Sequence, residues 1–282
     1  MSALLTARGA PPPLALARRL RASLGPQALS PFVIIYGINP VLEALRRGCV
    51  RKLRVGPRRD RRIDEALTIA REKHVTIERA DADTIDRLAR GGVHQGIVAE
   101  LDVPRDYSLP ELVEGAAPAA PLLVVLDGIE DPHNVGAILR TVDAAGAHGV
   151  VRQARHAAAL DGIAAKASAG AVALVRIATE VNIARALEEL KDLNVWTIGL
   201  AGDAADTYEA IDFTLPTAIV LGAEGTGLRR LVRERCDRLV SIPMHGGVGS
   251  LNVSVAAGVV LFEAARQRKN EHGARENGKG KD

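Results

Sequence analysis

Two periodicities alternate along the chain from Phe32 onward. Short runs rich in Val, Ile and Leu have the length of strands, and between them apolar residues recur every three or four positions, as on one face of a helix. The first series predicts strands at 32–36, 52–55, 75–78 and 97–101. It predicts helices at 39–47, started by Asn39 with Pro40 in the first turn, at 61–73, and at 81–89, with Asp81 as N-cap and Gly91-Gly92 as terminator. Strands alternating with helices over 32–101 describe a small α/β domain. Residues 102–121 carry four prolines and no sustained period, which reads as a linker holding a short helix at 109–114.

The second series opens at 122–126, an all-apolar run of the kind found in a parallel strand buried on both faces. Further strands are predicted at 149–152, 174–177, 195–200, 218–221 and 239–242, and helices at 134–145, 182–190, 228–235 and 252–266. This half, 122–267, is an α/β domain with a mainly parallel sheet, whose ligands belong at the carboxyl ends of the strands. The tail 268–282 is charged with nothing to bury, and the opening 1–31, rich in Ala, Leu, Arg and Pro, is interrupted by Pro11-Pro12-Pro13 and Arg18-Arg19. Disorder is expected of both.

Composition narrows the chemistry. Aromatic residues make up 2% of the chain, which argues against RNA recognition on stacked aromatic platforms. The net charge is only +3, but basic residues cluster early, at Arg46-Arg47, at Arg51-Lys52-Leu53-Arg54 and at Arg58–Arg62, a pattern that suits a polyanionic partner as well as a solvated surface. Cys49 and Cys236 have no disulfide or zinc spacing, and His94, His133, His148 and His245 form no metal pattern. No metal, no membrane span and a reducing cytoplasm are the expectations.

Three loops hold the candidate chemistry. In Asp127-Gly128-Ile129-Glu130-Asp131-Pro132-His133-Asn134-Val135-Gly136 a strand gives way to a helix, with Arg140 further along it; Asn134 could serve only as a helix cap. Leu221-Gly222-Ala223-Glu224-Gly225-Thr226-Gly227 has glycines enough for close backbone approach, but neither a dinucleotide fingerprint nor a Walker loop. His245-Gly246-Gly247-Val248-Gly249-Ser250-Leu251-Asn252 closes on two polar residues at the head of an Ala/Val helix, more than one N-cap requires.

These loops, in this order, resemble the three motifs of the SpoU (TrmH-type) ribose methyltransferases of the SPOUT superfamily. Tyr36-Gly37-Ile38-Asn39-Pro40-Val41 and Val93-His94-Gln95-Gly96-Ile97 are similar to the ribosomal-protein-like RNA-binding domain of the bacterial members that methylate a guanosine of 23S ribosomal RNA. The resemblance implies a homodimeric enzyme using S-adenosylmethionine, with a trefoil knot in its C-terminal domain. It places the cofactor among Gly222, Ile242 and Leu251, and the reaction centre at Asn134, Arg140, Glu224, Ser250 and Asn252. Arg140's counterpart is often assigned as the base; a guanidinium is better suited to holding phosphate and stabilising negative charge. The alternatives are a tRNA or another rRNA position as substrate, or a non-catalytic ribosome-assembly factor.

Overall fold

The computed structural model describes residues 32–58, 60–102, 105–155, 157–158, 160 and 162–278, with side chains to residue 270. The expected disorder of 1–31 lies outside the described residues. The first domain holds β1 (Phe32–Tyr36), α1 (Ile38–Arg47), β2 (Val50–Val55), α2 (Arg61–Glu72), β3 (Thr76–Arg79), α3 (Ala82–Leu88) and β4 (Ile97–Asp102). Its sheet runs β1-β4-β2-β3, with β2 and β3 parallel and the other pairs antiparallel. Asp60 and Asp81 cap α2 and α3 as short polar residues do. Asn39 does not start α1: the helix begins at Ile38, whose N–H donates to Gln95 Oε1 at 3.0 Å, a cap supplied from 57 residues away.

Part of the expected linker belongs to the second sheet. β5 (Asp106–Tyr107) pairs with a later strand, and α4 (Leu109–Glu114) follows, closed by a reciprocal Ser108–Glu111 capping box. Then come β6 (Leu122–Asp127), α5 (Pro132–Ala144), β7 (Gly149–Gln153), α6 (Gly162–Ala167), β8 (Ile177–Glu180), α7 (Ile183–Asp192), β9 (Trp196–Leu200), β10 (Asp206–Thr207), β11 (Thr217–Gly222), α8 (Arg230–Arg235), β12 (Arg238–Ser241) and α9 (Val253–Gly278). The strand expected at 174–177 starts three residues late, because 171–173 turn as a 3-10 helix first. α6 was not expected; its Gly-Ile-Ala-Ala-Lys-Ala offers no apolar stripe.

The second sheet has eight strands in the order β10-β12-β9-β11-β6-β7-β8-β5, every pair parallel. The apolar run in β6 is explained by burial on both faces. Leu122, Val124 and Leu126 join the core under α5 and α9, whereas Leu123 and Val125 join the one under α4, α7 and α8. The first of these cores continues into the small domain through Ile35, Leu42, Leu45 and Leu53. The tail does not end the fold at 267. α9 stays helical to Gly278, and the Arg268 guanidinium donates to the carbonyls of Phe213 at 2.8 Å and of Pro121 and Leu215 at 3.1 Å. Arg268 thereby closes backbone acceptors that the apolar strand ends leave open.

Candidate active site

The crevice of a parallel sheet lies beyond the carboxyl ends of its strands. Here the loops after β9, β11 and β12 enclose a cleft of about 630 Å³. Six of the eight residues singled out from the sequence line it: Gly222, Glu224, Ile242, Ser250, Leu251 and Asn252. Gly222 has a steric reason to be glycine. A Cβ there would stand 2.2 Å from the Gly227 carbonyl carbon and 2.3 Å from the Leu228 nitrogen. The loop folds back on itself through Gly227 N–H to Ala223 C=O at 2.8 Å, with Gly225 and Gly227 in the left-handed region (φ 78° and 66°).

Asn134 joins this group from the first turn of α5. Asp131 is the N-cap of α5 and accepts from His133 N–H at 2.9 Å, which leaves the Asn134 amide for other use. The Asn134 side chain is buried, and its Oδ1 accepts from Asn252 Nδ2 at 2.9 Å. The same Asn252 nitrogen donates to Glu224 Oε1 at 2.6 Å. Its carbonyl meanwhile caps α9, accepting from Ser254 N–H at 2.9 Å. One amide therefore caps α9 and joins side chains from the start of α5 and from the loop after β11. Arg140 stands apart: it is exposed on α5, six residues beyond Asn134, and does not line the cleft. Six residues are 600° of helix, so it leaves α5 about 120° away from Asn134.

Asp127 escaped the sequence reading. Fully buried at the end of β6, it accepts from Arg229 N–H at 2.8 Å and Arg229 Nε at 2.6 Å. That pair ties the loop carrying Asn134 to the loop carrying Glu224. The signal was an acidic residue closing an all-apolar strand, where an unpaired charge is untenable. His94 has a carboxylate partner: its Nε2 lies 2.8 Å from Asp86 Oδ1, and its Nδ1 accepts from Gly96 N–H at 3.0 Å. Among the described residues no group of His, Cys, Asp and Glu could hold a metal ion, and no helix is long and apolar enough to cross a membrane.

Comparison with known proteins agrees with this geometry. Residues 121–262 match the profile of the SpoU rRNA Methylase family, and residues 34–107 that of "RNA 2'-O ribose methyltransferase substrate binding". The chain is 46% identical over 241 residues to the 23S rRNA (guanosine-2'-O-)-methyltransferase RlmB of Yersinia pestis, covering 83% of this chain and 97% of the relative. It is 44% identical over 243 residues to an uncharacterized tRNA/rRNA methyltransferase of Mycolicibacterium vanbaalenii, covering 84% of this chain and 77% of that one. Among solved structures, the SpoU methyltransferase AviRb of Streptomyces viridochromogenes, in complex with AdoMet, superposes with a TM-score of 0.69 at 26% identity. That match covers 91% of this chain and 99% of AviRb. By both comparisons, this chain belongs to the SpoU rRNA methylase family.

Proposed function

We propose that this protein transfers a methyl group from S-adenosylmethionine to the ribose 2′-hydroxyl of a guanosine in 23S ribosomal RNA, as a homodimer in the cytoplasm. The observation that carries the reading is the Asn134–Asn252–Glu224 cluster at the lip of the cleft. Three polar side chains distant in sequence converge there beside a slot of cofactor size, within the roughly 300–1,000 Å³ usual for ligand pockets. The slot fits the cofactor. Leu221, Ile242 and Leu251 give apolar walls for an adenine, the glycine backbone at 222–227 permits close approach, and Glu224 carries charge opposite to a sulfonium.

Bound there, the cofactor supplies an activated methyl, so the protein has to hold the ribose oxygen in line and dispose of its proton. Asn252 fixes Glu224 by a charge-assisted hydrogen bond and is itself fixed by Asn134 and by capping α9. Ser250, exposed beside them, offers the ribose a hydroxyl. Arg140, exposed on α5 and outside the cleft, is assigned to an RNA phosphate.

Dimerisation is supported by α9, where Val255 and Phe262, seven residues apart on one face, are 51% and 54% exposed. α9 packs against α5, the helix that bears Arg140, so a second copy over this face would adjoin the reaction centre. The trefoil knot remains part of the proposal. It is supported by β12 lying inside the sheet, between β9 and β10, while α9 crosses to the face opposite α8.

The test is transfer of tritiated methyl to purified unmodified 23S, 16S and transfer RNAs, followed by nucleoside analysis. Label as 2′-O-methylguanosine in 23S RNA is the expected result. Label in transfer RNA alone would overturn the substrate, and no label with cofactor bound would overturn the reaction.

A further inference from the structure

The positive charge of the small domain is not evenly available. On the face of its sheet, Lys52 Nζ lies 2.8 Å from Glu78 Oε1, and Arg54 Nε lies 3.0 Å from Glu78 Oε2. Arg54 also pairs with the buried Glu100. Arg51 is 3.8 Å from Glu100 and 4.0 Å from Asp102. The run Arg51-Lys52-Leu53-Arg54, which by sequence suits a polyanionic partner or a solvated surface alike, is therefore largely neutralised within the fold.

At the carboxyl ends of β2 and β3 the balance differs. Arg58, Arg61 and Arg79 are all exposed there, and the nearest acidic contact is Asp60, 3.8 Å from Arg58. The same end holds a cavity of about 340 Å³, formed by the loop after β2, the start of α3 and the glycine-rich loop before β4. Its walls are carbon from Pro57, Ala82, Ile85 and Val93, and Val93 is 73% exposed. The loop before β4 is held in shape. His94 bonds Asp86 and Gly96, and Gln95, at φ 53°, accepts from Ile38 N–H. Tyr36 connects this end to the catalytic domain. Its ring packs on the Gly92 backbone, and the Lys166 ammonium of α6 lies 5.0 Å from its centroid.

We propose that this cavity receives one unpaired nucleotide of the substrate RNA, distinct from the nucleotide that is methylated, with Arg58, Arg61 and Arg79 meeting the flanking phosphates. The inference rests on the RNA-methyltransferase reading and deepens it. A space near the lower limit for ligand pockets admits a single base and excludes a duplex. Aliphatic walls and a guanidinium plane at the mouth take a base face without any aromatic platform. Phosphate contacts then supply affinity and register.

The experiment uses the full chain with an unmodified 23S RNA transcript. Ala82→Trp fills the cavity without changing charge, and Arg58→Gln removes a phosphate partner. Each is expected to raise the KM for RNA roughly tenfold, the first by excluding the base and the second by losing a phosphate contact. The kcat and the dissociation constant for S-adenosylmethionine should stay within about twofold. A photoreactive amino acid at Val93, an exposed position that folding does not need, should crosslink to one unpaired nucleotide. Unchanged KM in both variants, or crosslinks confined to duplex RNA, would overturn the proposal. Should Ala82→Trp fail to fold, Val93→Glu puts the same question by charge. A wild-type protein that methylates no RNA would overturn the underlying reading instead.

Discussion

Asn252 concentrates the candidate chemistry in one side chain, and its two ends can be separated. The carbonyl oxygen caps α9 and the amide nitrogen serves Asn134 and Glu224. Asn252→Asp retains an accepting oxygen for the cap but sets a carboxylate against Glu224. Methyl transfer is expected to fall at least a hundredfold, about 2.7 kcal/mol, while the melting temperature moves by only a few degrees. Asn252→Ala loses both functions, so it should add about 1 kcal/mol of destabilisation from the lost cap. Parallel denaturation and single-turnover assays on the two variants check this. Equal destabilisation by both would mean that the cap and the amide are not separable. Asn134, Glu224 and Asn252 were legible as types in loops. Which atoms they share was not, because the contacts span up to 118 residues of sequence.

The packing of elements makes its own demands. Gly136 lies on α5 where it meets α6. A Cβ there would stand 2.5 Å from Ala167 Cβ and 2.6 Å from the Ala164 carbonyl oxygen. Gly136→Ala relieves helix propensity but forces the helices apart, so a net loss of about 1–3 kcal/mol is expected in urea titrations. A gain in stability would show that α6 yields easily. Two short-range anchors set an acid limit. Ser108 N–H, with Arg105, holds the Glu111 carboxyl at about 2, and Arg266, with Gln267, holds Glu263 at about 2, both from an ordinary 4.5. A lowered carboxylate pKa stabilises the fold above its unfolded value and loses that contribution as pH falls toward the folded one. Melts recorded from pH 5 to pH 2 should therefore decline through the interval below about 4.5, and Glu111→Gln should flatten part of that slope. Solvent screens the 41% exposed Glu111 side chain, so its contribution is small, and the 16% exposed Glu263 carries the larger share. The boundary that Asp81 caps locally was readable in advance. The start of α1 was not, because Gln95 supplies its acceptor from another part of the chain.

Across the molecule, one apolar cluster runs from Leu42 and Leu53 in the small domain to Val124, Ile138 and Ala257 in the catalytic domain. The described residues from Phe32 onward accordingly form a single compact unit. Shared burial couples the two sheets, so calorimetry is expected to show one cooperative transition. Two resolved transitions would mean that the contact between them contributes little. Asp143 of α5 pairs with Arg47 of α1 across that contact, and Gly170 packs its backbone against Ala44. On the proposed reading, this coupling would present the small-domain cavity and the cleft to RNA at one spacing.

Period and punctuation in the chain already specified the two α/β series, the parallel character of the second sheet and the three loops at its carboxyl ends. Those features follow from local burial and from turn residues close in sequence. The order of the eight strands, the insertion of β12 beside β9, the Asp127–Arg229 tie and the neutralisation of Arg51, Lys52 and Arg54 arose only on folding. Each depends on which distant groups come within hydrogen-bonding or van der Waals range, and pairwise energies of that kind leave no trace in the periodicity of either partner.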